Sequence, residues 1–204
     1  MQTSQNHPTV RGPVRERRRV AAVLGLVGLA GLSGCASLGS NHTGNDGLAK
    51  QRAAVEQFYN SAIKLQVFGL PSDAQFKALS PSLSDRLIAL ISQAKASQAR
   101  ELARHGGTEP PLVQGALFMS LFEGAIKLVA LEPAAKPDVW QATLAYQAGA
   151  DTVKWVDLVW LVDQPSSGTH RWVVDDIEFG GQWDFARQGR LSQVLESLVS
   201  QANR

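Results

Sequence analysis

Apolar and polar positions alternate with two different periods along this chain, and the change divides it into halves. From Leu48 to Gln66 apolar residues recur at helical spacing, at Leu48, Val55, Phe58, Tyr59, Ala62 and Leu65. Asp46 stands where an N-cap would, and Gly69 and Pro71 mark the end. Ser72 to Leu79 suits a short helix holding Phe76. A further helix is predicted from Ser82, with Asp85 three residues on as a capping box. Its stripe is Leu83, Leu87, Leu90, Ile91, Ala94 and Leu102, and Gly106 and Gly107 stop it. Thr108 to Pro111 is read as a break.

The second half reads as strands. Ala125 to Leu131 is the first, and Val139 to Ala148 alternates, with Trp140, Ala142, Leu144 and Tyr146 on one face. Val153 to Val162 is apolar on both faces, which suits a central strand covered on both sides. Gln164 to Thr169 is a turn, and Arg171 to Phe179 a last strand. There Trp172 and Val174 share one face while Ile177 and Phe179 fall on the other. That parity change predicts a β-bulge near Asp175-Asp176. A final helix covers Leu191 to Gln201. Helices followed by antiparallel strands give an α+β class, with N-terminal helices packed on a curved antiparallel sheet of about four strands and a C-terminal helix.

Ahead of this lies a different kind of segment. Met1 to Arg19 is polar and ends in Arg15-Glu16-Arg17-Arg18-Arg19, Val20 to Ala30 is apolar, and Leu32-Ser33-Gly34-Cys35 follows. A basic patch, a short apolar run and small residues before a cut make a secretory signal. The run is too short for a membrane span, which needs about 20 residues. Leu32-Ser33-Gly34-Cys35 resembles the lipobox of bacterial lipoproteins, in which the cysteine sulfur takes a diacylglycerol group and cleavage follows on its N-terminal side. The resemblance implies a signal peptide over residues 1–34 and a palmitate-type anchor on Cys35. Two or more acyl chains hold a protein stably where one does not. Ala36 takes the place of the aspartate that retains such proteins in the inner membrane, so an outer-membrane location facing the periplasm is expected. Arg18-Arg19 lacks the context of a twin-arginine signal, and ordinary Sec export is expected. Residues 36–47 are small, polar and Gly-rich and read as a flexible tether, which leaves residues 48–204 as one domain.

Charge changes the picture only once this segment is set aside. Five of the 20 basic residues but one of the 18 acidic ones precede Cys35, so the remainder carries 15 basic and 17 acidic residues. The sequence pI of 8.9 therefore belongs to the precursor. The anchored part lacks the basic surplus of a nucleic-acid binder. A lone cysteine excludes an internal disulfide. Five Trp and seven Phe are available for a core.

Three stretches carry a resemblance to a known fold over residues 48–198. They are Ala54-Val55-Glu56-Gln57-Phe58-Tyr59, Ser120-Leu121-Phe122-Glu123-Gly124, and Arg171-Trp172-Val173-Val174-Asp175-Asp176-Ile177 with Trp183-Asp184-Phe185 after it. Together they are similar to small bacterial lipoproteins with an NTF2-like domain of unknown function. The resemblance implies a conical sheet with a pocket, of a kind used for catalysis, ligand binding or dimerisation, and so it implies a shape rather than an activity.

Patterns of known chemistry are sparse. HExxH, GxSxG, GxxxxGK and CxxC are all absent. Ser61-Ala62-Ile63-Lys64 and Ser92-Gln93-Ala94-Lys95 have the spacing of a serine nucleophile and its lysine, without the partner motifs, and solvated helix faces explain both. His42, His105 and His170 share no ligand spacing. Asp157 lies on a face with Val153, Trp155, Val159 and Leu161, where a raised pKa could suit a general base. The plainer reading is that this face reaches solvent, or that Asp157 pairs with Lys154 or an arginine. Asp175, Asp176, Glu178 and Asp184 are either a cation site or a solvated strand end. Trp140, Trp155, Trp160 and Trp172 either pack a core or, with Asp157, line a pocket.

The leading functional expectation is a lipid-anchored, non-catalytic binding or scaffold module, held at the membrane through Cys35. Its candidate associations are an envelope protein and a second copy. No cofactor, metal or nucleic acid is expected. The alternatives are a small-ligand carrier with a Trp-lined pocket, an enzyme using Asp157, and an immunity protein against a secreted toxin.

Overall fold

The structure, a computed structural model, describes residues 42–104, 106, 113–166 and 168–201. All of them belong to one compact unit, Gly39–Arg204. Cys35, the signal segment, the tether up to Asn41, His105, Gly107 and the Thr108–Pro111 break lie outside the described residues.

Helix α1 spans His42–Leu65, α2 Asp73–Leu79 and α3 Asp85–Arg104. Strands β1 (Lys127–Pro133), β2 (Val139–Ala148), β3 (Asp151–Ser166) and β4 (Thr169–Glu178) follow, then α4, Leu191–Gln201. The strands form one antiparallel, curved sheet in the order β1-β2-β3-β4. α1 crosses one face and meets β1, β2 and β4, while α4 packs on α3 and β4. The α+β class, the four strands and the C-terminal helix are thus as the periodicity indicates.

The core forms where the two periods meet. Val55, Phe58, Tyr59 and Ala62 of α1 are buried against Ala142 and Leu144 of β2 and Val159 of β3. Phe58 stacks edge-on against Tyr59 and Phe118, at 5.1 and 5.4 Å between centroids. Gln51 is buried as well: its amide donates to Asp138 Oδ1 (2.7 Å) and its oxygen accepts from Trp140 Nε1 (3.0 Å). This polar tie fixes α1 over the start of β2.

Several boundaries differ from the expected ones for identifiable reasons. α1 begins at His42, so residues 42–47 of the expected tether are helical, and Asp46 is no cap but pairs with Lys50 one turn on (2.8 Å). Leu48 is exposed, because Gln51 takes the place beside the sheet. α3 begins at Asp85 rather than Ser82: residues Ser80–Ser82 form a 3-10 turn, and Ser84 Oγ accepts from Leu87 N–H (3.0 Å). Asp85 instead bonds with Gln164 of β3. β1 starts at Lys127 rather than Ala125. β3 continues through the expected turn to Ser166, and the chain reverses before Thr169 with Gly168 at φ +82°. β3 is central, but its second face is open, with Val156 and Val162 exposed.

The bulge falls where parity requires it. Trp160 pairs with Asp176 and Leu161 with Val174, which leaves Asp175 as the extra residue. The shift lets Val174, Ile177 and Phe179 all be buried.

The true start of α3 has a thermodynamic signature. Ser84→Ala should lower the unfolding free energy by about 1–2 kcal/mol, whereas Ser82→Ala should stay within about 0.5 kcal/mol. Urea unfolding of the two variants checks this; a larger effect at Ser82 would place the cap there.

Candidate functional site

Asp157 is completely buried, and its carboxylate is filled by donors. Oδ1 accepts from Gly180 N–H (3.0 Å) and, through a short contact, from the Ser120 hydroxyl. Oδ2 accepts from Ser120 N–H (3.1 Å) and Trp155 Nε1 (3.0 Å). Two donors on each oxygen occupy the acceptor sites that a carboxylate has. Burial pushes the Asp157 pKa up, and the hydrogen bonds from Gly180, Ser120 and Trp155 oppose that rise. Neither Lys154 nor an arginine pairs with it, and its face does not reach solvent, so both plainer sequence readings are corrected. With no acceptor site facing a cavity, the carboxylate is poorly placed to take a proton from a substrate.

What the arrangement does is hold two loops to the sheet. Ser120 belongs to the segment between α3 and β1, and Gly180 and Gly181 to the segment after β4. Gly181 N–H donates to Ser120 Oγ (3.1 Å), so the two loops also meet each other. The close approach needs glycine: a Cβ on Gly180 would lie 2.0 Å from Val156 O, and one on Gly181 would lie 2.9 Å from the Ser120 and Ala186 Cβ atoms. The Gly180-Gly181 pair directly after a strand signals such an approach in the sequence, though it does not tell which side chain is approached. Tyr59 lies under the same node. Burial, and next the Asp157 charge, raise its pKa well above the ordinary tyrosine value. Its buried hydroxyl has no hydrogen-bond partner among the described residues.

The tryptophans do not share one pocket with Asp157. Trp140 and Trp155 are core residues, with Trp155 edge-on to Trp183 at 5.9 Å. Trp160 lies on the opposite face of β3, between the Lys136 ammonium (3.9 Å) and the Arg190 guanidinium (4.0 Å). Trp172 lines an open groove of about 390 Å³ between α1 and the edge of β4, beside Lys50, Gln57 and Arg171. The expected pocket of Trp140, Trp155, Asp157, Trp160 and Trp172 is therefore dispersed. Alternation along β3 separates Trp160 from Trp155 and Asp157 by an odd number of residues, which puts it on the other face.

The acidic strand end is likewise divided among separate partners. Burial pushes the Asp175 pKa up, but hydrogen bonds from Arg86 and Ser84 and the Arg86 charge outweigh it and leave it below the ordinary carboxylate value. Asp176 accepts from the N–H (3.0 Å) and hydroxyl (2.6 Å) of Ser192 and so caps α4. Glu178 pairs with Arg190 (3.0 Å), and Asp184 is exposed. Among the described residues no three His, Cys, Asp or Glu side chains form a metal-sized group. Lys95 pairs with Asp73 (2.6 Å) while Ser92 bonds to Ile88 O, so that Ser-x-x-Lys pair serves the helix surface. His170 is exposed, with Nδ1 3.3 Å from Asp163.

The sequence reading missed the loop surface beside the Asp157 node. Ala62, Val67, Phe118, Met119 and Tyr146, with Gln66, line a cavity of about 120 Å³, rimmed by exposed Phe68, Glu123 and Ile126. Comparison with protein-family models, with curated proteins and with solved structures finds no match.

Two outcomes are expected at the node. Asp157→Asn turns an amide N–H₂ toward existing donors and should cost about 2–4 kcal/mol. Because the folded-state pKa is raised, the native state holds the proton longer than the unfolded chain does. The stability from this group is thus fully present below the usual value of 3.8 and is lost as pH rises through the raised pKa. The wild-type advantage over Asp157→Asn should therefore shrink as pH rises from that value, which denaturant midpoints across the range would show; an advantage growing with pH would reverse the direction of the shift. Tyr59→Phe removes a buried unpaired hydroxyl and should be neutral or stabilising by up to about 1 kcal/mol, as read from the same titrations.

Proposed function

We propose that this chain is a lipid-anchored envelope protein, held through Cys35 at the outer membrane and facing the periplasm, and that its α+β unit is an NTF2-like module that binds or scaffolds rather than catalyses. The observation that carries the reading is Leu32-Ser33-Gly34-Cys35 directly after a short apolar run, with the chain's lone cysteine at the cut. No described helix is long and apolar enough to cross a membrane, so among the described residues no spanning helix competes with a lipid as the means of attachment. The saturation of Asp157 supports a binding role over a catalytic one, since the carboxylate best placed for acid–base work is spent on holding loops.

The test is metabolic labelling with radioactive palmitate. The wild-type chain should take up label and sediment with membranes. Cys35→Ser should lose the label, keep the uncleaved leader and run larger on a gel. Unlabelled wild-type protein released as a soluble periplasmic species would overturn the anchor.

A further inference from the structure

Four large apolar side chains are exposed around one loop. Phe185 is 70% exposed, Ile126 58%, Phe68 53% and Phe122 48%. The segment from Val113 to Ile126 joins them. On one side, Phe68 bridges to Ala116 and rims, with Ile126, the 120 Å³ cavity. On the other, Phe122 and Phe185 border a second hollow of about 210 Å³ with Gln114, Ser120 and Arg187. Ala116 N–H donates to Phe122 O (2.8 Å), so the two hollows share a wall.

These side chains are held out by a rigid frame. Gly115, at φ +73°, packs so closely on the Phe122 ring that a Cβ there would lie 2.5 Å from it. Gly69 N–H donates to Gly115 O (2.8 Å). Arg187 Nη2 donates to the Gln114 and Ala116 carbonyls (3.0 and 3.1 Å), and its backbone N–H to Ser120 O (2.9 Å). Through Ser120 the whole loop is tied to Asp157. A fixed apolar surface of this kind exposes area to water without collapsing on itself, and it has little entropy left to lose when covered.

Charge and position narrow what covers it. Glu123 follows Phe122 and Asp184 precedes Phe185; both are exposed, and neither has an ion pair or hydrogen bond among the described residues. Lys127 follows Ile126 and Arg187 lines the second hollow, where its guanidinium is held on the Gln114 and Ala116 carbonyls, so the two carboxylates are the surface's acidic groups without a partner. Carboxylates beside Phe122 and Phe185 disfavour an anionic bilayer. α1 has 24 residues and is therefore about 36 Å long. The chain from Cys35 enters at its first residue, whereas Phe68 follows its last. The apolar surface thus lies at the C-terminal end of α1.

We propose that Phe68, Phe122, Ile126 and Phe185 form the docking surface for a protein partner. That partner presents apolar side chains to these four and basic residues to Glu123 and Asp184. The inference rests on the tethered-module reading and adds to it the surface and the partner's chemistry. The test uses the full-length lipidated chain in its own membranes, with a photoreactive residue at position 122, 126 or 185, and at Val162 on the open sheet face as control.

The expected result is one protein adduct common to the three loop positions and absent from position 162. It should fall about tenfold in a Glu123→Lys, Asp184→Lys double variant and in a Phe122→Ser, Phe185→Ser variant, both of which alter only exposed side chains. Adducts to lipid alone, adducts to a second copy of the chain, or a protein adduct undiminished by the charge reversal would each overturn the proposal. A protein adduct from position 162 only would overturn the surface and leave the binding module standing. No protein adduct from any position would overturn both.

Discussion

A charged group buried on the apolar face of a sheet is tolerated only when its hydrogen-bonding capacity is filled, and Asp157 imposes that requirement on this fold. Neighbouring strands cannot meet it, because their backbone groups are committed to the ladder. The donors come instead from Trp155 on the same strand and from two loops distant in sequence, at Ser120 and Gly180. Neither loop has regular structure of its own to hold it. Asp157 therefore ties both segments to the sheet, and together with the Arg187 bonds to Gln114, Ala116 and Ser120 it holds Phe122 and Phe185 in place.

Two further acidic residues near the C-terminal end of β4 are also committed to structure. The bulge at Asp175 turns two consecutive aspartates to different tasks. Asp175 takes Arg86 and Ser84, which secures the start of α3, and Asp176 caps α4. A run that looks like a cation site in one dimension is thus distributed over two helix termini. Asp175 meets a guanidinium and Asp176 meets backbone N–H groups, so each carboxylate has protein donors of its own.

In the proposed function these two regions have separate parts. The lipobox cysteine would set where the protein is, and the C-terminal end of α1 would carry the surface for a partner. There the Asp157 node holds an apolar surface bordered by carboxylates. The slight acidic excess after Cys35 would then matter only locally, at Glu123 and Asp184.

The sequence by itself determined the elements and one irregularity. Periodicity gave the α+β order, the limits of β2 and α4, and the bulge at Asp175, because these depend on which residues alternate between water and a core. The proposed export signal likewise rests on local composition alone. Tertiary structure decided the rest. Ser84 rather than Ser82 caps α3 because β4 lies beside it, and α1 reaches back to His42 where local composition suggests a tether. Trp160 parts from the other tryptophans through strand parity, but its two cations come from elsewhere in the chain. Above all, nothing near Asp157 in sequence tells whether it faces solvent, a substrate or Ser120 and Gly180. A buried carboxylate's role is set by which donors reach it, and those donors lie 37 and 23 residues away.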